Sequence, residues 1–109
     1  MKPIPKRLLI HAATLRSPGA MDVWQAPTWE DTPLKHVRIE PSAKVVLTKD
    51  NTEVQLVSTL IYDCVNSSPR GIEFAAGQRV VWGGRECTVE TVEQLYDERH
   101  LHHWEVGLS

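Results

Sequence analysis

The chain has 109 residues, 41% of them apolar, with 12 Lys and Arg against 14 Asp and Glu. That length allows one domain with one modest core. A net charge of −2 excludes a protein whose main task is to grip DNA or an anionic membrane over a broad surface. The longest apolar runs are only a few residues, such as Leu8-Leu9-Ile10, too short for a membrane-spanning helix. At the start, Pro3 and Pro5 precede an apolar stretch broken by His11 and Thr14, which speaks against a signal peptide. A cytoplasmic chain, or one assembled in the cytoplasm, is expected. Cys64 and Cys87 lack CxxC spacing and are expected as small reduced hydrophobes of the core.

Strand signals dominate, and no helical period of any length appears. Residues 6–15 form a first candidate strand, ended by Ser17-Pro18-Gly19. Residues 20–32, with Trp24, Pro27 and Trp29, have no clean period and read as a loop or a loose hairpin. Residues 35–40 alternate, with Val37 and Ile39 facing one way, until Pro41 stops them. Residues 43–48 and 53–65 flank the turn-competent Lys49-Asp50-Asn51-Thr52 and predict a hairpin. Its second arm places Val54, Leu56, Ser58, Leu60, Tyr62 and Cys64 on one face. A continuous strand of that length would reach roughly 40 Å at about 3.3 Å per residue, so a bend or a projecting tip is expected.

After the loop "NSSPRG" at 66–71, Phe74 leads to a strand at 79–82. Gly83-Gly84 is a two-residue hairpin turn of the primed type, and the chain returns over 85–92. Val92 falls out of phase with Cys87 and Val89, which predicts a bulge or a change of sheet. Residues 97–100 turn the chain into a last strand. The result is an all-β single domain over 1–109, a small barrel or sandwich of six to eight mostly antiparallel strands with a long hairpin. Residues 1–5 are expected as a flexible tail.

The closing "DERHLHHWEVGLS" concentrates His100, His102 and His103. In a regular strand His103 faces away from His102, so the two should not converge. His102, Trp104, Val106 and Leu108 would form the more apolar face. Zinc needs three or four ligands in tetrahedral geometry, and His11 and His36 are isolated, so no metal is expected. No Gly-x-Ser-x-Gly, phosphate loop or cysteine signature is present, which weakens any catalytic reading, and no cofactor is expected. Trp82 and Trp104 lie in strands and are expected in the core. Trp24 and Trp29, with few basic residues beside them, read as interface anchors more readily than as a base-stacking platform. Lys2, Lys6 and Arg7 read as a solvated basic tip.

The segments "KPIPKRLLIH", "VRIEPS", "LIYDCVNS", "VVWGG", "LYDER" and "LHHWEVGL" together resemble the minor capsid proteins of tailed phages and prophages of Gram-positive bacteria. The resemblance spans nearly the whole chain. It departs at Gly77-Gln78-Arg79, where such proteins often carry an acidic residue after the glycine. The resemblance implies a virion structural protein of the head-completion or stopper type, a small β barrel that assembles in a ring below the portal. The implied partners are portal or adaptor and tail-side connector proteins and sister copies, with packaged DNA passing nearby without sequence-specific contact and no membrane. The implied localisation is the virion, with assembly in the host cytoplasm. Candidate interface residues are Trp24, Trp29, Lys49, Asp50, Asn51, Thr52 and Arg70. The alternative is a small β-barrel module that binds a peptide or a nucleic acid.

Overall fold

The computed structural model describes residues 2–19, 28–48 and 50–109. The eight strands are β1 (His11–Pro18), β2 (Trp29–Pro41), β3 (Val45–Leu47), β4 (Glu53–Gln55), β5 (Ser58–Asp63), β6 (Arg79–Trp82), β7 (Arg85–Tyr96) and β8 (Leu101–Leu108). Six of them close into an antiparallel barrel in the order β1-β2-β5-β8-β7-β6. β3 and β4 make a separate two-stranded sheet. The all-β expectation holds, in its barrel form.

Individual strands differ from the sequence reading for identifiable reasons. The first strand starts at His11, because Lys6–Leu8 close a 3-10 turn. The second begins at Trp29, inside the stretch expected as a loop or a loose hairpin, since Pro18 and Trp29 already pair across the β1–β2 connection. Two residues, Lys35 and His36, then bulge out between the pairs Ala13–Leu34 and His11–Val37. His36 takes φ +57° there. The extra residue resets the phase, so that Leu34, Val37 and Ile39 all reach the core. The bulged Lys35 exchanges two backbone hydrogen bonds with Ser68 at 2.9 and 3.0 Å, which ties the connection after β5 to the barrel.

The long second arm of the hairpin does not run on. It breaks at Leu56 and Val57 into β4 and β5, which belong to different sheets. Leu56 is almost fully buried yet lies apart from the main core. It packs where a side chain on Gly107 would stand, since a Cβ at 107 would come within 2.7 Å of Leu56 Cδ1. Val106 and Leu108 point into the barrel, so Gly107 faces outward and Leu56 sits on the outer wall.

The expected turn at Gly83-Gly84 is present, with φ of +57° and +78° joining Trp82 to Arg85. The phase slip at Val92 is a bulge. Val89 pairs with Leu108 and Thr91 with Gly107, leaving Glu90 unmatched. β7 is long enough to pair with β6 through its first residues and with β8 through the rest.

Among the described residues, fourteen buried ones form the core cluster. At its centre Phe74, from the connection before β6, packs edge-on to Tyr62 and Trp104 with centroids 5.6 and 5.5 Å away. The Tyr62 hydroxyl donates to the Pro69 carbonyl. Gln78 is 9% exposed and clasps this connection. Its Oε1 accepts from Ala75 N at 2.8 Å and its Nε2 donates to Ser17 Oγ at 3.1 Å. Cys87 is buried in the core, Cys64 packs at its edge, and both are free. Trp104 is a core residue as expected, whereas Trp82 is only partly buried and meets His11 edge-on at 5.7 Å.

Candidate interface surfaces

The proposed interface residues divide among separate places. Trp24 and Lys49 lie outside the described residues. Asp50, Asn51 and Thr52 form the exposed tip of the β3–β4 hairpin. The tip is internally bonded. Asn51 takes φ +61° and its N–H donates to Thr48 O at 3.0 Å, while Thr48 N–H donates to Thr52 O at 3.0 Å. The Thr48 and Thr52 hydroxyls stabilise the Asp50 carboxylate and hold its pKa below the ordinary carboxylate value.

The hairpin arms expose Val45 and Leu47, at 57% and 64%. Val46 and Val54, on the other face, are half-buried. Leu47, Thr48 and Asp50 stand across a cleft of about 690 Å3 from residues 75–77 and 88–92. In a closed barrel every strand has two neighbours, so among the described strands only β3 and β4 offer open edges.

Trp29 is exposed at the start of β2, with the Arg16 and Arg79 guanidiniums each 5.6 Å from its ring centroid. Glu86 joins the two arginines, at 3.0 Å from Arg16 and 3.1 Å from Arg79, and Asp31 also meets Arg16 at 3.0 Å. Hydrogen bonds to Asp31 and then Glu86 raise the Arg16 pKa. Trp29 is therefore part of a charged belt across β2, β1, β6 and β7, a pattern in which no pair is close in sequence. Arg70 lies in the connection after β5, exposed, and reaches Val65 O at 3.4 Å. The hairpin is rooted before the start of β5 and Arg70 follows its end, so the described candidates Trp29, Asp50, Asn51, Thr52 and Arg70 lie at different places on the barrel.

The histidine expectation needs correction. β8 carries a bulge of its own: Leu95 pairs with His103 and Tyr96 with Leu101, skipping His102. The extra residue turns His102 beside His103, and their Nδ1 atoms are 2.7 Å apart. Leu101, not His102, packs against the core with Trp104. His103 Nε2 meets Glu105 at 3.0 Å. His100 stays in the turn, where its N–H and that of Arg99 donate to Asp97 at 2.8 Å each. Period-two reasoning could not find the pair, because nothing in the local sequence marks a bulge at His102. Among the described residues no group of three or more His, Cys, Asp or Glu could hold a metal ion.

Residues 2–10 form a strap outside the barrel. Ile4 N–H donates to Asp63 Oδ1 at 3.0 Å, and Asn66 Nδ2 donates to Ile4 O at 2.7 Å. Arg38 donates to Leu8 O at 3.0 Å, and Leu9 is buried. Within residues 1–5, expected as a flexible tail, Ile4 is thus bonded to the barrel.

Over residues 5–108 the chain matches the family model described as minor capsid protein. It belongs to the minor capsid protein family, and with that to the structural proteins of phage virions. No curated protein matches the chain. Among the described residues no helix is long and apolar enough to cross a membrane.

Proposed function

We propose that this minor capsid protein is a subunit of the head–tail connector, of head-completion or stopper type, that assembles in a ring below the portal. The observation that carries this reading is the β3–β4 hairpin. It adds two open strand edges and an uncovered apolar pair, Val45 and Leu47, to a barrel whose own edges are all paired. A cyclic ring needs two unlike surfaces on each subunit, one to give and one to receive. The hairpin supplies a giving surface, by strand addition or by insertion of its apolar face. Portal or adaptor proteins above, tail-side proteins below and sister copies alongside are the partners. A net charge of −2 lets packaged DNA pass without being gripped. The role is architectural and uses no bond-making chemistry, and assembly takes place in the host cytoplasm.

A nucleic-acid or peptide module would need an open aromatic platform. Two guanidiniums stand over the Trp29 ring, so no observation favours that alternative. The test is deletion of the gene in the phage. The expected product is DNA-filled heads without attached tails, which lose their DNA on storage. Normal, infectious particles would contradict the reading.

A further inference from the structure

The N-terminal strap joins no strand of the barrel and lies over the outer face of β5 and β8. Tyr62 and Trp104 pair and point inward, so their neighbours Asp63 and His103 point outward, and Asp63 is 0% exposed with Ile4 bonded to its carboxylate. The first link of the strap is the Lys2 carbonyl, 2.6 Å from His102 Nε2. The four groups Lys2 O, His102, His103 and Glu105 form one chain of three hydrogen bonds, at 2.6, 2.7 and 3.0 Å.

The proton count of that chain is fixed by its ends. A backbone carbonyl and a carboxylate only accept, so both Nε2 atoms must carry hydrogen. The central contact between the two Nδ1 atoms needs one further hydrogen. That makes three protons on two rings, one more than two neutral imidazoles hold. The arrangement as a whole therefore calls for one proton shared between the rings, opposite the Glu105 carboxylate. With the extra proton gone, two lone pairs meet at the centre, or one ring turns its N–H inward and gives up an outer bond. With a second extra proton, two N–H groups collide.

We propose that the His102–His103 pair is a proton-dependent latch on the N-terminal strap, closed while the two rings share one extra proton. Histidine changes charge between about pH 5 and 8 in its ordinary state, which makes it the fitting residue for such a device. The groups around the pair are Lys2 on the strap, Asp63 on β5, Glu93 on β7 opposite Glu105, Glu105 on β8 itself, and Asp97, Glu98, Arg99 and His100 in the preceding turn. Burial, and then Asp63, push the pKa of the nearby Cys64 thiol up. The latch works the same way wherever in the virion the protein sits.

The test is amide hydrogen exchange of Ile4 in the intact chain across pH 5.5 to 9, corrected for the intrinsic rate, with imidazole nitrogen NMR on the same samples. Protection at Ile4 is expected to be greatest where the pair carries one extra proton, and to fall at least tenfold as that proton leaves. His102→Ala should lower Ile4 protection and make it independent of pH, while Leu60 and Val106 in the barrel stay protected. Two results overturn the proposal: flat Ile4 protection while the pair loses its proton, or persistent pH dependence in His102→Ala. Blocking the α-amino group, which also titrates in this range, should leave the profile unchanged, and a profile that vanishes would overturn it as well.

Discussion

Leu56 occupies the volume that a side chain at Gly107 would need, with its Cδ1 2.7 Å from where that Cβ would be. The contact roots the hairpin on the outer wall of β8, and the Thr91 hydroxyl crowds the same point from β7. Gly107→Val should displace Leu56 and cost about 1–3 kcal/mol by overpacking. Leu56→Ala should cost about 2–5 kcal/mol by opening a void under the hairpin. Urea denaturation measures both. Equal stability of Gly107→Val and wild type would show that Leu56 is not seated there.

The aromatic trio gives a second prediction. Tyr62→Phe keeps the edge contact with Phe74 and removes only the bond to Pro69 O, at a cost of about 1 kcal/mol. Phe74→Ala removes the plug between Tyr62 and Trp104 and should cost about 3–5 kcal/mol. Burial raises the Tyr62 pKa, so phenolate absorbance in the folded protein should appear at higher pH than in the unfolded chain.

The turn before β8 gives a dependence on acid. The N–H groups of Arg99 and then His100 hold the Asp97 pKa below its ordinary value. A depressed folded-state pKa means stability that is present above the unfolded value and lost as pH falls through the folded one. Asp97→Asn should remove that part of the acid sensitivity. NMR titration of the Asp97 carboxyl checks the direction, and a value at or above that of an unfolded peptide would contradict it.

The hairpin gives a prediction about assembly. Val45→Asp with Leu47→Asp changes two exposed residues, so the isolated protein should keep its fold by circular dichroism. The same double variant should fail to complement a phage lacking the gene. Full complementation would mean that the apolar face of the hairpin touches no partner.

Much of the barrel was legible in the chain because its strands alternate. Val37 with Ile39, Leu60 with Tyr62, and Val106 with Leu108 face inward as period two requires. The Gly83-Gly84 turn and the slip at Val92 were also readable, since each leaves a local mark. A bend in the long arm was readable from its length, but its place at Leu56 was not, because the site that receives Leu56 lies at Gly107, some fifty positions away. The bulges at Lys35–His36 and His102 are likewise set by strand partners, and the second hid the imidazole pair. The hairpin tip was visible as polar turn residues, whereas the Arg16, Arg79 and Glu86 belt around Trp29 exists only once β1, β2, β6 and β7 are side by side. The fold follows from local alternation, and the surface chemistry from contacts that alternation does not encode.

Position in the particle can be read from a cryo-electron microscopy reconstruction of the purified virion's neck. A closed ring of this barrel between portal and tail is expected there, with each β3–β4 hairpin seated on the next copy. Finding the chain only in the icosahedral shell, or as isolated barrels whose hairpins meet no neighbour, would contradict it.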